Sequence, residues 1–276
     1  MSLGVGLNPI TLGQPSLYYQ SFDTSYLTPS SPISGDPITL INRYSDNGVT
    51  ISGNTGSEAL WYTLAGKEMM YFPGTDSAGC WPPPCSGTTP SIYLDETTDL
   101  GFMFNTGYSY TLYFVGKPLS KDGAIFTTFV DEGLGTNNLG INFDVNTNNV
   151  RLSAGRPTPP FSTLPLYEFN IETSVDSNDL ESKPLRVFSV RGEDVGSGNT
   201  TAYGYVNGIQ TISGIQLNDT SLTNYTYPLG IGSNPSGFDQ FSYKGYFGEL
   251  IIFNTVHDLT THNKVVNFLK NRWGIN

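Results

Sequence analysis

The chain has 276 residues, a formal net charge of −11 and a pI near 4.4. Its balance of 13 Lys and Arg against 24 Asp and Glu argues against nucleic acid, which needs clustered cations to displace counterions, and against anionic membrane surfaces. No run approaches the ~20 consecutive apolar residues of a membrane-spanning helix, so membrane insertion is not expected. Charged residues make up only 13%, about half the usual share, so surface polarity must come mainly from Ser, Thr, Asn and Gln. Such a surface suits a protein outside the cytoplasm or within an assembly, yet Met1 to Pro15 has neither the basic nor the apolar segment of a secretory signal.

In chain order, residues 1–14 show no hydrophobic period and read as an extended N-terminal arm, with one domain over 15–276. Ile38–Arg43, Ala59–Leu64 and Met69–Pro73 are strand-like runs between Gly, Asn, Ser and Pro clusters. Gly74–Pro90 reads as a loop carrying Cys80 and Cys85 around Trp81-Pro82-Pro83-Pro84. Their spacing permits a small disulfide-closed loop; the alternative is two free thiols in a proline-stiffened loop. Ser109–Lys117 is rich in β-branched and aromatic residues on both alternating faces, which predicts a strand buried on both sides. Ala124–Val130 follows as a further strand.

Leu139–Val145 alternates cleanly and turns through Asn146–Asn149 into Val150–Ala154, a predicted hairpin. Leu185–Arg191 is another strand. Ala202–Val206 and Ile209–Ile212 flank Asn207-Gly208, a dipeptide suited to a type I′ turn because both central residues need positive φ. Gly245–Asn254 reads as a final central strand. Only Thr260–Arg272 has helical spacing, with Val265, Val266, Phe268 and Leu269 grouped against Lys264, Asn267 and Lys270. Asp258 or Thr260 can cap its start, and Gly274 suits its stop. Many short strands with Gly- and Pro-rich turns and one closing helix predict an all-β fold: a two-sheet antiparallel jelly-roll sandwich with one short C-terminal α-helix.

The motifs YVNG (Tyr205–Gly208), LGIGS (Leu229–Ser233), YKGYFGELIIFN (Tyr243–Asn254) and FLKNRWGI (Phe268–Ile275) occur in an order that resembles the concanavalin A-like lectin/glucanase superfamily, in its laminin-G-like branch. Phe114–Lys117 and Ser16–Leu27 fit the same pattern, so the resemblance spans roughly Leu17 to Asn276. The helix and its ending are similar to laminin-G-like domains of phage and other virus particles. The resemblance implies the sandwich, and relatives that often bind calcium or sugars. It does not identify a ligand, because one fold hosts many functions.

Glucanases of this superfamily set paired carboxylates at alternate positions of one strand, so that acid and nucleophile flank one bond. This chain has no E-x-D: Glu193 and Asp194 are adjacent and Glu249 stands alone, which predicts no enzyme activity of this type. His257 and His262 read as surface or capping residues. No cofactor is expected. Calcium is a possible ligand, with Asp144 and Asn146 on one strand face as donors, against the reading of a solvated hairpin. Carbohydrate binding needs an exposed ring beside polar acceptors, and Trp81, Tyr225, Tyr227, Phe238 and Tyr243 lie in or beside loop-like stretches. The expectation is a non-enzymatic virion structural or surface protein, as capsid decoration or a fibre-type adhesin. Its expected partners are other virion subunits, further copies of itself and host-surface carbohydrate. A secreted or cell-surface lectin is the alternative.

Overall fold

The computed structural model describes residues 9–21, 23–42, 50–53, 59–74, 92–98, 103, 109–119, 123–127, 140–146, 149–158, 162–174, 177–217, 227–232 and 243–276. In chain order the first strands are β1 (Leu17–Gln20), β2 (Leu27–Thr28), β3 (Pro37–Ile38), β4 (Leu40–Asn42), β5 (Thr50–Gly53) and β6 (Ala59–Leu64). There follow β7 (Lys67–Pro73), β8 (Ile92–Thr98), β9 (Tyr110–Pro118), β10 (Gly123–Thr127), β11 (Gly140–Asn146), β12 (Asn149–Thr158) and β13 (Ser162–Glu172). A short helix α1 (Ser177–Ser182) precedes β14 (Arg186–Gly196), β15 (Asn199–Val206), β16 (Ile209–Leu217), β17 (Tyr227–Ile231) and β18 (Lys244–Phe253), and α2 (Leu259–Trp273) closes the chain.

The strands form two antiparallel sheets. One runs β16-β15-β14-β9-β18-β7-β6-β3, with β1 also on β18; the other runs β13-β12-β11-β10-β17-β8-β5-β4-β2. The expected sandwich is thus observed. The run Ile38–Arg43 is not one strand, however: Ile38 pairs in the first sheet and Leu40 in the second, so the chain crosses between sheets at Thr39. Arg43 lies outside the described residues.

Two cores meet at the first sheet. Its inner face packs against the second sheet through Leu17, Leu112, Phe114, Phe188, Phe247, Leu250 and Ile252. Phe114 of β9 meets Phe143 of β11 edge-on at 5.5 Å and stacks on Phe188 at 6.0 Å, joining the sheets through ring contacts. The alternate residues of the same strands, Tyr113, Val115, Val187, Ile251 and Phe253, form a second core beneath α2. β9 is therefore buried on both faces, as its composition predicts.

Helix α2 turns His262, Val265, Val266, Leu269 and Trp273 toward the sheet, a spacing of three, one, three and four that makes one stripe. Asp258 is its N-cap and accepts the Thr261 N–H at 2.6 Å; Gly274 ends it in the left-handed region at φ 66°. The Asn207-Gly208 turn has φ of 52° and 85°, as a type I′ hairpin requires. Asn207 Oδ1 also accepts the Val187 N–H, tying the tip to β14. Pro9–Leu12 forms a 3-10 turn whose Leu12 packs beside the helix core. α1 is an element the sequence reading lacked: SNDLES has no apolar period, and only Leu180 is fully buried there.

Candidate functional site

The outer face of the first sheet is divided between the part beneath α2 and a half-exposed strip, with Tyr246 packed against the helix-side core at the boundary. The division begins at a bulge in β18, where the register to β9 shifts between Phe247 and Glu249. Gly248 is the extra residue, so Tyr246 and Glu249 both face outward while Phe247 and Leu250 face the inner core. A Cβ on Gly248 would lie 2.9 Å from Cζ2 of Trp273, so glycine lets the helix sit this close.

Glu249 locks that helix down. It is fully buried, and Oε1 accepts from Trp273 Nε1 at 2.7 Å and Arg272 Nη1 at 3.0 Å. Oε2 accepts from the Tyr18 hydroxyl at 2.8 Å. Burial pushes the Glu249 carboxyl up, and Arg272 with the three hydrogen bonds opposes it. A carboxylate with no exposed surface and every neighbour donating to it is a structural anchor; it has no contact with solvent through which to meet a substrate.

At the other end of α2 lies a second polar cluster. His262 Nε2 pairs with Ser189 Oγ at 2.9 Å, and its ring lies 5.6 Å from Tyr113 and 4.4 Å from Tyr205. His257 Nδ1 pairs with the Tyr113 hydroxyl at 2.8 Å, and Arg191 Nε donates to the His257 carbonyl. Both histidines are buried, which overturns the reading of them as surface residues. Burial holds both imidazoles below their ordinary value, His262 at about 4. The serine and histidine are enclosed between helix and sheet, so this pair fixes the helix start.

The half-exposed strip is built from register. Lys117 of β9 pairs with Tyr246 of β18, Tyr246 with Tyr71 of β7, Tyr71 with Leu60 of β6, and Leu60 with Pro37 of β3. Their chain neighbours Ala59, Trp61, Met70, Phe72 and Phe247 belong to the inner core, so these five share the outer face. All are partly or fully exposed. Four strand spacings give the strip a length of about 19 Å. Tyr62 widens it: its ring meets Tyr71 edge-on at 5.4 Å, and Tyr71 lies 5.0 Å from Tyr246 at 45°. Three tyrosines thus form a contiguous, half-exposed aromatic surface on rigid strands.

The ring candidates named from sequence fare differently. Tyr243 is a correction: it is fully buried in the inter-sheet core, 5.9 Å from Phe72, and its hydroxyl donates to the Tyr246 carbonyl. It has no exposed face on which a sugar could stack. Trp81, Tyr225 and Phe238 lie outside the described residues, as does the side chain of Tyr227 in β17. Cys80 and Cys85 also lie outside them. Asp144 is a second correction, since it is 4% exposed and takes a two-point ion pair from Arg151, Nε to Oδ1 at 2.7 Å and Nη2 to Oδ2 at 3.1 Å. A calcium ion there would have to displace a guanidinium. The Asn146 side chain lies outside the described residues, and among those described no group of three His, Cys, Asp or Glu could hold a metal.

No protein-family model matches the chain, and no curated protein matches it by sequence. Its fold does have solved counterparts. Domain 4 of AbnA, a GH43 extracellular arabinanase from Geobacillus stearothermophilus, in complex with arabinotriose, is similar at TM-score 0.53 and 16% identity, over 92% of this chain and 98% of that one. The receptor-binding domain of botulinum neurotoxin D is similar at TM-score 0.53 and 8% identity, over 92% of this chain and 52% of that one. The binding domain of botulinum neurotoxin DC in complex with rat synaptotagmin II gives 0.52 and 12%, over 93% and 52%. The chain thus matches the whole of the arabinanase domain but only about half of the toxin chains. These likenesses define the class as a two-sheet β-sandwich.

Proposed function

We propose that this chain is a non-enzymatic carbohydrate-binding sandwich of the concanavalin A-like, laminin-G-like type. In this reading it is carried on a virion as capsid decoration or a fibre-type adhesin, where it engages host-surface glycan. The observation that carries the proposal is the strip of Tyr62, Tyr71 and Tyr246 on the outer face of the first sheet. A pyranose or furanose presents an apolar C–H face, and aromatic rings held in a row on neighbouring strands stack successive sugars without prior rearrangement. Support comes from the arabinanase domain, which shares the fold and whose structure holds arabinotriose. The low charge of the chain supports the virion placement, since a surface of neutral polar residues suits packing into a particle.

The test is binding of the intact chain to an immobilised oligosaccharide panel, with Tyr71→Ala beside the wild type. Removing the central ring should weaken binding by about tenfold or more, since one base-sized or sugar-sized stack is worth about 1–3 kcal/mol. The unfolding midpoint of the variant checks that the sheet survives. Absence of saturable binding to any panel member removes the glycan reading. Purified particles that lack the chain remove the virion placement.

A further inference from the structure

The tyrosine strip ends on a cation. Lys117 is the direct cross-strand partner of Tyr246, and Lys244 stands two positions before Tyr246 on the same strand, hence on the same face. Both are half-buried. Two of the seven lysines in a chain of net charge −11 therefore flank one ring. No carboxylate occupies the five paired positions from Lys117 to Pro37. Glu68 of β7 alternates to the opposite face from Tyr71, and Glu249, which does face outward, is already engaged by Arg272, Trp273 and Tyr18. Lys117 thus ends the five-residue row as its one charged side chain.

From this we infer that the strip selects an acidic glycan, with its sugar faces on the tyrosines and its carboxylate or sulfate against Lys117. The inference rests on the glycan-binding reading and adds the charge of the ligand. A neutral oligosaccharide can use the rings, but it leaves the ammonium with water alone. An anionic one gains a charge-assisted contact beside a low-dielectric ring surface.

The experiment compares matched pairs on the intact chain: sialyllactose against lactose, galacturonan against galactan oligosaccharides, and sulfated lactose against lactose. The acidic member should bind roughly fivefold or more tightly. Lys117→Gln should bring each pair within about twofold by weakening the acidic member more than the neutral one. Raising salt from about 0.05 M to about 0.5 M should erase the same preference in the wild type, a readout that needs no variant. The carboxylated and sulfated arms show which anion is taken. Equal wild-type affinity within every pair, with both members lost in Tyr71→Ala, overturns the inference and leaves the stacking strip standing. An acidic preference that persists in Lys117→Gln and in high salt also overturns it. No binding of any member removes the underlying glycan reading instead.

Discussion

The Tyr18 hydroxyl donates to Oε2 of Glu249 across 231 positions of sequence, and the same carboxylate receives Arg272 and Trp273 from the last turn of α2. One buried side chain therefore joins the first strand, the last strand and the closing helix. Glu249→Ala removes the acceptor that Tyr18, Arg272 and Trp273 share, and it should cost about 3–5 kcal/mol, as breaking a buried ion pair does. Glu249→Gln keeps an acceptor and should cost less. Urea unfolding of both variants checks the order; a wild-type midpoint in Glu249→Ala would contradict the anchoring role.

Acid should loosen the start of α2. His262 is held at about 4 against an ordinary 6.5, chiefly by burial, with Arg191 and His257 acting the same way. A depressed folded value means that the neutral ring is the one the fold prefers. That contribution is intact above pH 6.5, and it is lost as the pH falls toward 4, where the unfolded chain binds the proton first. The interval corresponds to about 3 kcal/mol. His257 is displaced in the same direction and adds to the effect. Unfolding free energies measured between pH 7 and 4 should fall, and His262→Gln should flatten the curve while keeping a partner for Ser189. Parallel curves for the two proteins would rule out this titration.

Asp144→Ala should destabilise the β11–β12 hairpin by about 1–3 kcal/mol, because it removes the carboxylate that takes the Arg151 guanidinium at two points. Calcium should leave the wild-type melting temperature unchanged if Asp144 stays committed to Arg151. A calcium-dependent rise that disappears in Asp144→Ala would restore the metal reading.

Gly248→Ala should displace α2. The new methyl meets the Trp273 indole at van der Waals overlap, and overpacking of this kind costs about 1–3 kcal/mol. Near-UV circular dichroism would report the moved indole. The tyrosine strip lies on the far side of the bulge, so glycan affinity should change far less than stability.

Much of the scaffold was legible because it obeys local rules. Ser109–Lys117 is apolar on both alternating faces and is buried on both. Asn207-Gly208 demands positive φ and has it. Thr260–Arg272 shows its stripe and its caps, and the observed helix extends one residue further at each end. The tyrosine strip was not legible, for a physical reason. Lys117, Tyr246, Tyr71, Leu60 and Pro37 come from five strands whose pairing order, β9-β18-β7-β6-β3, follows no sequence order. A tyrosine in an alternating strand looks like core, and only the packing shows that Tyr62, Tyr71 and Tyr246 stay half-exposed. Tyr243 erred the other way: its flanking Ser and Gly suggested a loop, yet tertiary packing buries it. The partners of Glu249 and His262 are likewise set by packing between distant segments.

The position of β18 bears on how the chain is made. It lies between β9 on one side and β7 with β1 on the other, so it is the middle of the first sheet although it follows every other described strand in chain order. While the ribosome is still reading residues before Lys244, the β9–β14–β15–β16 group and the β3–β6–β7 group have no hydrogen-bonded link between them. Their facing edges are open, and open edges invite pairing with other chains. The sheet is completed only when Lys244–Phe253 has emerged, and α2 follows to cover the face just formed. Termination between β16 and β18 thus yields two unsealed half-sheets rather than a smaller working protein.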